Sequence, residues 1–375
     1  PPPPPPPPPR DSIRRQRQMC IRDSIDTTRI VWVGHSTGGE CVVRAFTRLH
    51  DGDFRSERFN AEDIALVVSI APVAFLSRSS TNPYGVNYFL ITGGADRDTG
   101  NYPEGNYTQN LAIFERATGN RHLVYVHGAG HGDFHNGSQN ELDQPEGSAP
   151  GLVGPEGAHP VLLGYSLALI ERYARSYPAM VDFFERTHED FRPAGIPSHV
   201  VISTEHRAAL ASGHFVIDDF QREPSLTTSS SGGAVSLDVR NASEVLMSDH
   251  DWSFDWTGTQ PSNGMTRSLD GSDDARCVAF DWTLGDRLFY ELEIIPSERD
   301  LSDDRFLSFR AAQGTRHPET DALDGGLSFT VTLRDEQGGA SSIDFGRYGR
   351  ITRTYERPGS GTGAGWANEF NTIQI

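Results

Sequence analysis

Lysine is absent from this 375-residue chain: all 33 basic side chains are arginine, against 51 acidic ones, and the formal charge is −18. That balance argues against nucleic acid or an anionic membrane surface as a partner, since both demand a surplus of positive charge. It suits a soluble protein, saline surroundings included. Cysteine is scarce as well. Cys20, Cys41 and Cys277 are too few for a disulfide framework and show no zinc-site spacing, so Cys41 and Cys277 read as small buried hydrophobes. No apolar run approaches the ~20 residues that a membrane-crossing helix needs. The start of the chain lacks any helical or strand period. Pro1 to Pro9 is a homopolymer suited only to an extended polyproline helix, and Arg10 to Ser24 is basic and aperiodic. Residues 1–24 therefore read as a leader outside the fold, either non-native or disordered.

What the sequence does contain begins at Arg29. The apolar run Ile30-Val31-Trp32-Val33 is followed by Gly34-His35-Ser36-Thr37-Gly38, then by the helical pattern Gly39 to Phe46. G-x-S-x-G between a strand and a helix is a nucleophile elbow, in which small residues let helix and strand crowd around a serine held in a sharp turn. A serine needs a base within hydrogen-bond reach and a carboxylate to orient that base. Two later apolar strands deliver such groups at their ends. Tyr88 to Thr92 runs into Gly93-Gly94-Ala95-Asp96-Arg97-Asp98, and His122 to Val126 runs into His127-Gly128-Ala129-Gly130-His131-Gly132-Asp133-Phe134. Strand ends of this kind are where ligands and catalysis sit in an open α/β sheet. Among the histidines, His131 lies in a glycine-flanked loop that frees its ring and is the expected base. His127, at the strand end, reads as structural, and His135, past the turn, as exposed. Asp96 and Asp98 both stand at workable spacings for the acid.

The three motifs in this order resemble the α/β-hydrolases of the esterase, lipase and cutinase kind. The pattern is most similar to the dienelactone-hydrolase and platelet-activating-factor-acetylhydrolase-like branch, with G-H-S-x-G-G at Gly34 to Gly39, G-x-x-D-x-D at Gly93 to Asp98, and G-x-x-H-x-x-F at Gly128 to Phe134. The resemblance implies a serine hydrolase that cleaves a carboxylic ester through an acyl-enzyme and needs no cofactor. Ser36 would be the nucleophile, His131 the base, and Asp98 or Asp96 the acid. Asp98 is slightly favoured by the Ala-Asp-x-Asp-Thr pattern of cutinase-like enzymes. Thr37 would supply one oxyanion N–H. The resemblance also implies a secreted or periplasmic setting. It covers residues 25–200 and corresponds to the C-terminal half of a doubly wound α/β-hydrolase sheet. Ile64 to Pro72 is the intervening parallel strand, and Val161 to Tyr173 is the last covering helix. The strands that ordinarily precede the elbow, with the loop giving the second oxyanion donor, are expected to belong to a longer parent.

Residues 201–212 read as a linker, and the texture then changes. From 213 to 375 short alternating runs are separated by turn residues, among them Ala234 to Val239, Arg287 to Ile294, Phe306 to Arg310, Leu327 to Leu333 and Asn371 to Ile375. This spacing predicts an all-β jelly roll or sandwich. Val216 to Phe220 and the closing strand resemble galactose-binding-like, carbohydrate-module-like domains, and the chain stops inside a strand as if cut. Trp252, Trp256 and Trp282 offer a stacking platform for a glycan, although tryptophan in such strands also serves as core. The aspartates of Asp249-His250-Asp251 and Gly271-Ser272-Asp273-Asp274 carry the oxygen ligands that calcium takes, and equally those of a solvated loop. A second function class stays open beside the esterase: an inactive hydrolase-like scaffold carrying a glycan- or partner-binding sandwich.

Overall fold

The computed structural model describes residues 26–77, 79–96, 109–136, 151–185, 191–209, 214–221, 225–247, 256–261, 276–283, 285–314, 316–323, 325–347, 349–355 and 370–375. Its centre is a five-stranded sheet of β1 (Ile30–His35), β2 (Ile64–Ile70), β3 (Tyr88–Gly93), β4 (Arg121–Val126) and β5 (Ile202–Arg207), in that spatial order. The first four strands are parallel and β5 runs antiparallel to β4. Strands β3 and β4 are buried at every position, which is why they read as unbroken apolar runs rather than as alternations.

Both faces of the sheet are covered. On one, Val68, Phe89, Ile91, Val124 and Val126 meet α3 (Gly154–Leu169), a π-helical turn (Ile170–Ala174) and α4 (Ala179–Glu185). On the other, Val67, Tyr88, Leu90 and Leu123 meet Val43, Phe46 and Leu49 of α1 (Thr37–His50) and Leu111, Ile113 and Phe114 of α2 (Gln109–Arg116). The parallel strands turn all their C-terminal ends one way, so the loops after β1, β3 and β4 meet above one edge of the sheet. No helix among the described residues is long and apolar enough to cross a membrane.

Beyond β5 the chain is rich in strands. β6 (Val235–Leu237) pairs with β9 (Tyr290–Leu292), β7 (Arg240–Leu246) with β8 (Arg276–Asp281), β10 (Ser308–Ala311) with β13 (Asn371–Gln374), and β11 (Thr330–Arg334) with β12 (Ala340–Asp344), all antiparallel. A short helix, α5 (Pro318–Ala322), lies between β10 and β11. Among the described residues these are four two-stranded antiparallel sheets, of which only β11 with β12 joins strands close in sequence.

Two expectations are corrected here. The stretch expected to be a linker, 201–212, holds the fifth strand of the central sheet. Its sequence, Ile-Ser-Thr-Glu-His-Arg, hides the strand because buried polar groups occupy core positions. Glu205 accepts from Arg310 (3.0 Å), His206 stacks on His122 (ring centroids 4.9 Å apart), and the Ser203 hydroxyl meets His127. Cys41, expected to be buried, is exposed, while Cys277 is buried. The inward stripe of α1 runs through Val43, Phe46 and Leu49, and position 41 falls on the opposite side.

The β-rich region is joined to the sheet by buried polar contacts. Thr372 of β13 accepts from the His206 N–H and donates to the His206 carbonyl, each at 2.9 Å. Arg310 of β10 reaches Glu115 of α2 (2.9 Å) and Glu205 of β5 (3.0 Å); burial by itself would lower its pKa, and the two carboxylates outweigh that and raise it.

Candidate active site

Ser36 occupies the turn between β1 and α1 with φ 57° and ψ −127°. This backbone region costs a non-glycine residue on the order of 1–3 kcal/mol, and persists only where the surroundings over-determine it. Those surroundings are explicit. The Ser36 N–H donates to the Ile70 carbonyl (2.9 Å), and its own carbonyl accepts from Gly39 (2.9 Å) and Val73 (3.3 Å). The glycines flanking the serine differ in what they do. A Cβ on Gly34 would stand 2.0 Å from the Gly38 carbonyl oxygen, and one on Gly39 would stand 2.9 Å from Pro72 Cβ. A Cβ on Gly38 would meet nothing within 4 Å. The last glycine of G-x-S-x-G is thus the least constrained of the three.

His131 and Asp96 are brought together as expected for a base and its orienting acid. His131 Nδ1 and Asp96 Oδ2 are 3.0 Å apart, with side chains only 6% and 2% exposed. The loops that carry them are laced by main-chain bonds. Gly94 N–H donates to Val126 O and Ala95 N–H to Ala129 O, both at 2.9 Å, and a Cβ on Gly93 would lie 2.2 Å from Ala129 O. Asp133 closes the histidine loop by accepting from the Gly130 N–H at 2.8 Å. Asp98, the slightly favoured acid of the sequence reading, lies outside the described residues. Asp96 is the carboxylate that the fold sets against the imidazole.

The other expected residues fall as follows. Thr37 opens α1, so its N–H is one of the first-turn donors that no intrahelical carbonyl takes. Ser36 itself is half-buried. His127 is structural, as expected, with Nε2 3.1 Å from Ser203 Oγ. His135 is half-buried rather than exposed, because its ring meets the edge of His35 at 5.6 Å. Trp256 packs against Met247, Cys277, Ala279 and Phe370 and lies edge-on to His317, which ties it into a core cluster. Trp282 lies beside Phe280, and Trp252 falls outside the described residues. So do Asp249, Asp251, Asp273 and Asp274. Among the described residues no group of three or more His, Cys, Asp or Glu could hold a metal ion.

Two residues of the site escaped the sequence reading. The His35 ring lies tilted against that of His131, with ring centroids 4.8 Å apart, and is pushed toward the neutral form first by burial and then by His131. Its place next to the elbow serine was the available signal. Glu40, in the first turns of α1, is buried, and its carboxylate accepts from Leu76 N–H at 2.7 Å. Burial raises the Glu40 pKa. The bond pins the segment after β2 around the elbow, and leaves Phe75 and Leu76 as exposed apolar side chains beside it. No family model matches this chain and no curated protein matches it. The fold class that stands is a mixed α/β architecture, with a five-stranded central sheet and a β-rich region.

Proposed function

We propose that the chain carries the catalytic apparatus of a serine hydrolase of the α/β-hydrolase kind, acting on a carboxylic ester. The observation that carries this reading is the buried His131–Asp96 hydrogen bond of 3.0 Å, at the same sheet edge as a serine in a strained strand-to-helix turn. The ring of His35, the residue next to Ser36, lies against His131 and links the two halves of the constellation. In the proposed reaction His131 Nε2 takes the Ser36 proton as Oγ attacks the acyl carbon. Asp96 holds the Nδ1 proton and stabilises the imidazolium. The N–H of Thr37 faces the developing oxyanion. The imidazolium then protonates the departing alcohol, and water, activated by the same imidazole, cleaves the acyl-enzyme to release the acid and restore Ser36. Phe75 and Leu76 offer an apolar wall for the acyl group.

The test uses the whole chain and a fluorophosphonate probe. Wild-type protein should label and Ser36→Ala should not, and labelling that persists in the mutant sinks the assignment. A folded wild type that neither labels nor turns over an ester, yet is retained on a polysaccharide column, would support the scaffold reading instead.

A further inference from the structure

The β-rich region reaches the same site. Ile351 is fully buried beside Phe345 and Ile373, bonded to Leu327 in both directions (2.9 and 3.0 Å), and receives the Gln313 Nε2–H at 2.7 Å. From that anchor the chain runs to Tyr355 along the top of the central sheet. Thr352 Oγ1 meets Ser203 Oγ at 2.7 Å, and Ser203 in turn meets His127 Nε2 at 3.1 Å, so the segment is tied to the ends of β4 and β5. Tyr355 then inserts its ring, 8% exposed, into a closed cluster with Ala95 and Tyr125 and edge-on to His127 at 6.1 Å. The fit is tight: Tyr355 Cδ1 lies 2.8 Å from where a Cβ on Gly94 would be. Gly94 and Ala95 are the two residues that lead into Asp96.

We propose that Tyr355 is a positioning residue for the site, its ring filling the space beneath Gly94 and Ala95 and so holding Asp96 on His131. The proposal rests on reading Ser36, His131 and Asp96 as a triad, and it makes the β-rich region part of the active-site scaffold rather than an appended module. The role proposed for Tyr355 is indirect. It acts through the acid loop, whose main chain is bonded to the histidine loop at Ala95–Ala129 and Gly94–Val126. The Asp96 N–H itself donates to the Gly93 carbonyl at 3.2 Å, so the carboxylate sits on the same short loop that the ring packs against.

The experiment compares wild type, Tyr355→Ala, Tyr355→Leu and Tyr355→Phe in the full chain, with two readouts. The first is the downfield Nδ1–H proton resonance of His131, assigned by its loss in His131→Gln, which reports the bond to Asp96 whether or not the protein turns over. The second is ester kinetics. Displacing a catalytic group by about 1 Å costs up to ~100-fold, so Tyr355→Ala should lower kcat about ten- to hundredfold, with KM little changed. The resonance should broaden or vanish in Tyr355→Ala, and Tyr355→Phe should restore both readouts. If Tyr355→Ala does not fold, the smaller cavity of Tyr355→Leu gives the same comparison. A folded Ala or Leu variant with an unchanged resonance and unchanged kcat overturns the proposal, and so does a Phe variant that behaves like Ala. Absence of fluorophosphonate labelling in the wild type would defeat the triad reading alone. The His131 resonance would still decide whether Tyr355 holds Asp96.

Discussion

Acid should weaken this fold through two buried histidines on neighbouring strands of the central sheet. His122 of β4 and His206 of β5 are register partners, stacked at 4.9 Å with 18° between ring planes, and both are buried. His122 contacts the Tyr173 hydroxyl in the π-helical turn at 2.5 Å. Burial is the first cause of depression for both, with the nearby cation of Arg172 adding to it. His206 is lowered to about 4, and His122 lies well below its ordinary value. A histidine with a depressed folded pKa takes up its proton more readily in the unfolded chain, so its contribution is complete above about pH 6.5 and is lost as pH falls toward its folded value. For His206 the gap from 6.5 to about 4 corresponds to about 3 kcal/mol lost by pH 4, and about 2 kcal/mol by pH 5. Urea unfolding of wild type and His206→Gln at intervals from pH 8 to 4.5 reads the contribution of His206 together with the repulsion it exerts on His122. The wild-type curve should fall more steeply between pH 6.5 and 4.5, by about 1 kcal/mol per pH unit. Parallel curves, or a His206 ring that titrates near 6.5 by NMR in the folded protein, would refute the reasoning.

Further outcomes follow from the geometry. Asp96→Asn should lower kcat by about four orders of magnitude, because the imidazole loses the carboxylate that sets its tautomer, while Asp98→Asn should stay near wild type; steady-state ester kinetics on both decide which acid serves. Gly34→Ala should cost about 3 kcal/mol or more in denaturant unfolding, as overpacking against backbone does at its upper end, since the new Cβ would stand 2.0 Å from the Gly38 carbonyl. Gly38→Ala should be neutral or stabilise by up to ~1 kcal/mol, being open and helical. Arg310→Ala should cost about 3–5 kcal/mol in the same assay, as removing one member of a buried ionic group does, because Glu205 and Glu115 have side chains only 0% and 7% exposed. The exposed Arg353–Asp321 pair is the control, and Arg353→Ala should change stability by less than about 1 kcal/mol.

Local chemistry along the chain was enough to foresee β1, the Ser36 turn and α1, because a β-branched strand, small residues and a 3.6-residue apolar stripe each act within a few positions. The same holds for β2, β3 and β4, whose burial on both faces writes itself as continuous apolar runs. The loop that carries His131 was legible too, as a glycine-rich stretch directly after an apolar strand. What tertiary structure decided depends on partners distant in sequence. The strand β5 was invisible because its buried positions carry Glu205, His206 and Ser203, whose polar groups are satisfied by Arg310, Thr372, His127 and Thr352 from elsewhere in the chain. That Asp96 lies against the His131 imidazole is set by loop geometry that spacing leaves open, since Asp96 and Asp98 both follow the same strand closely. Cys41 looked buried only while the rotation of α1 about its axis was unknown. Tyr355, some 260 residues beyond Gly94, carries no signal of its own as an aromatic in a polar stretch. A side chain's place in a site is set by the surface it is pressed against, and for the acid loop that surface comes from the far end of the chain.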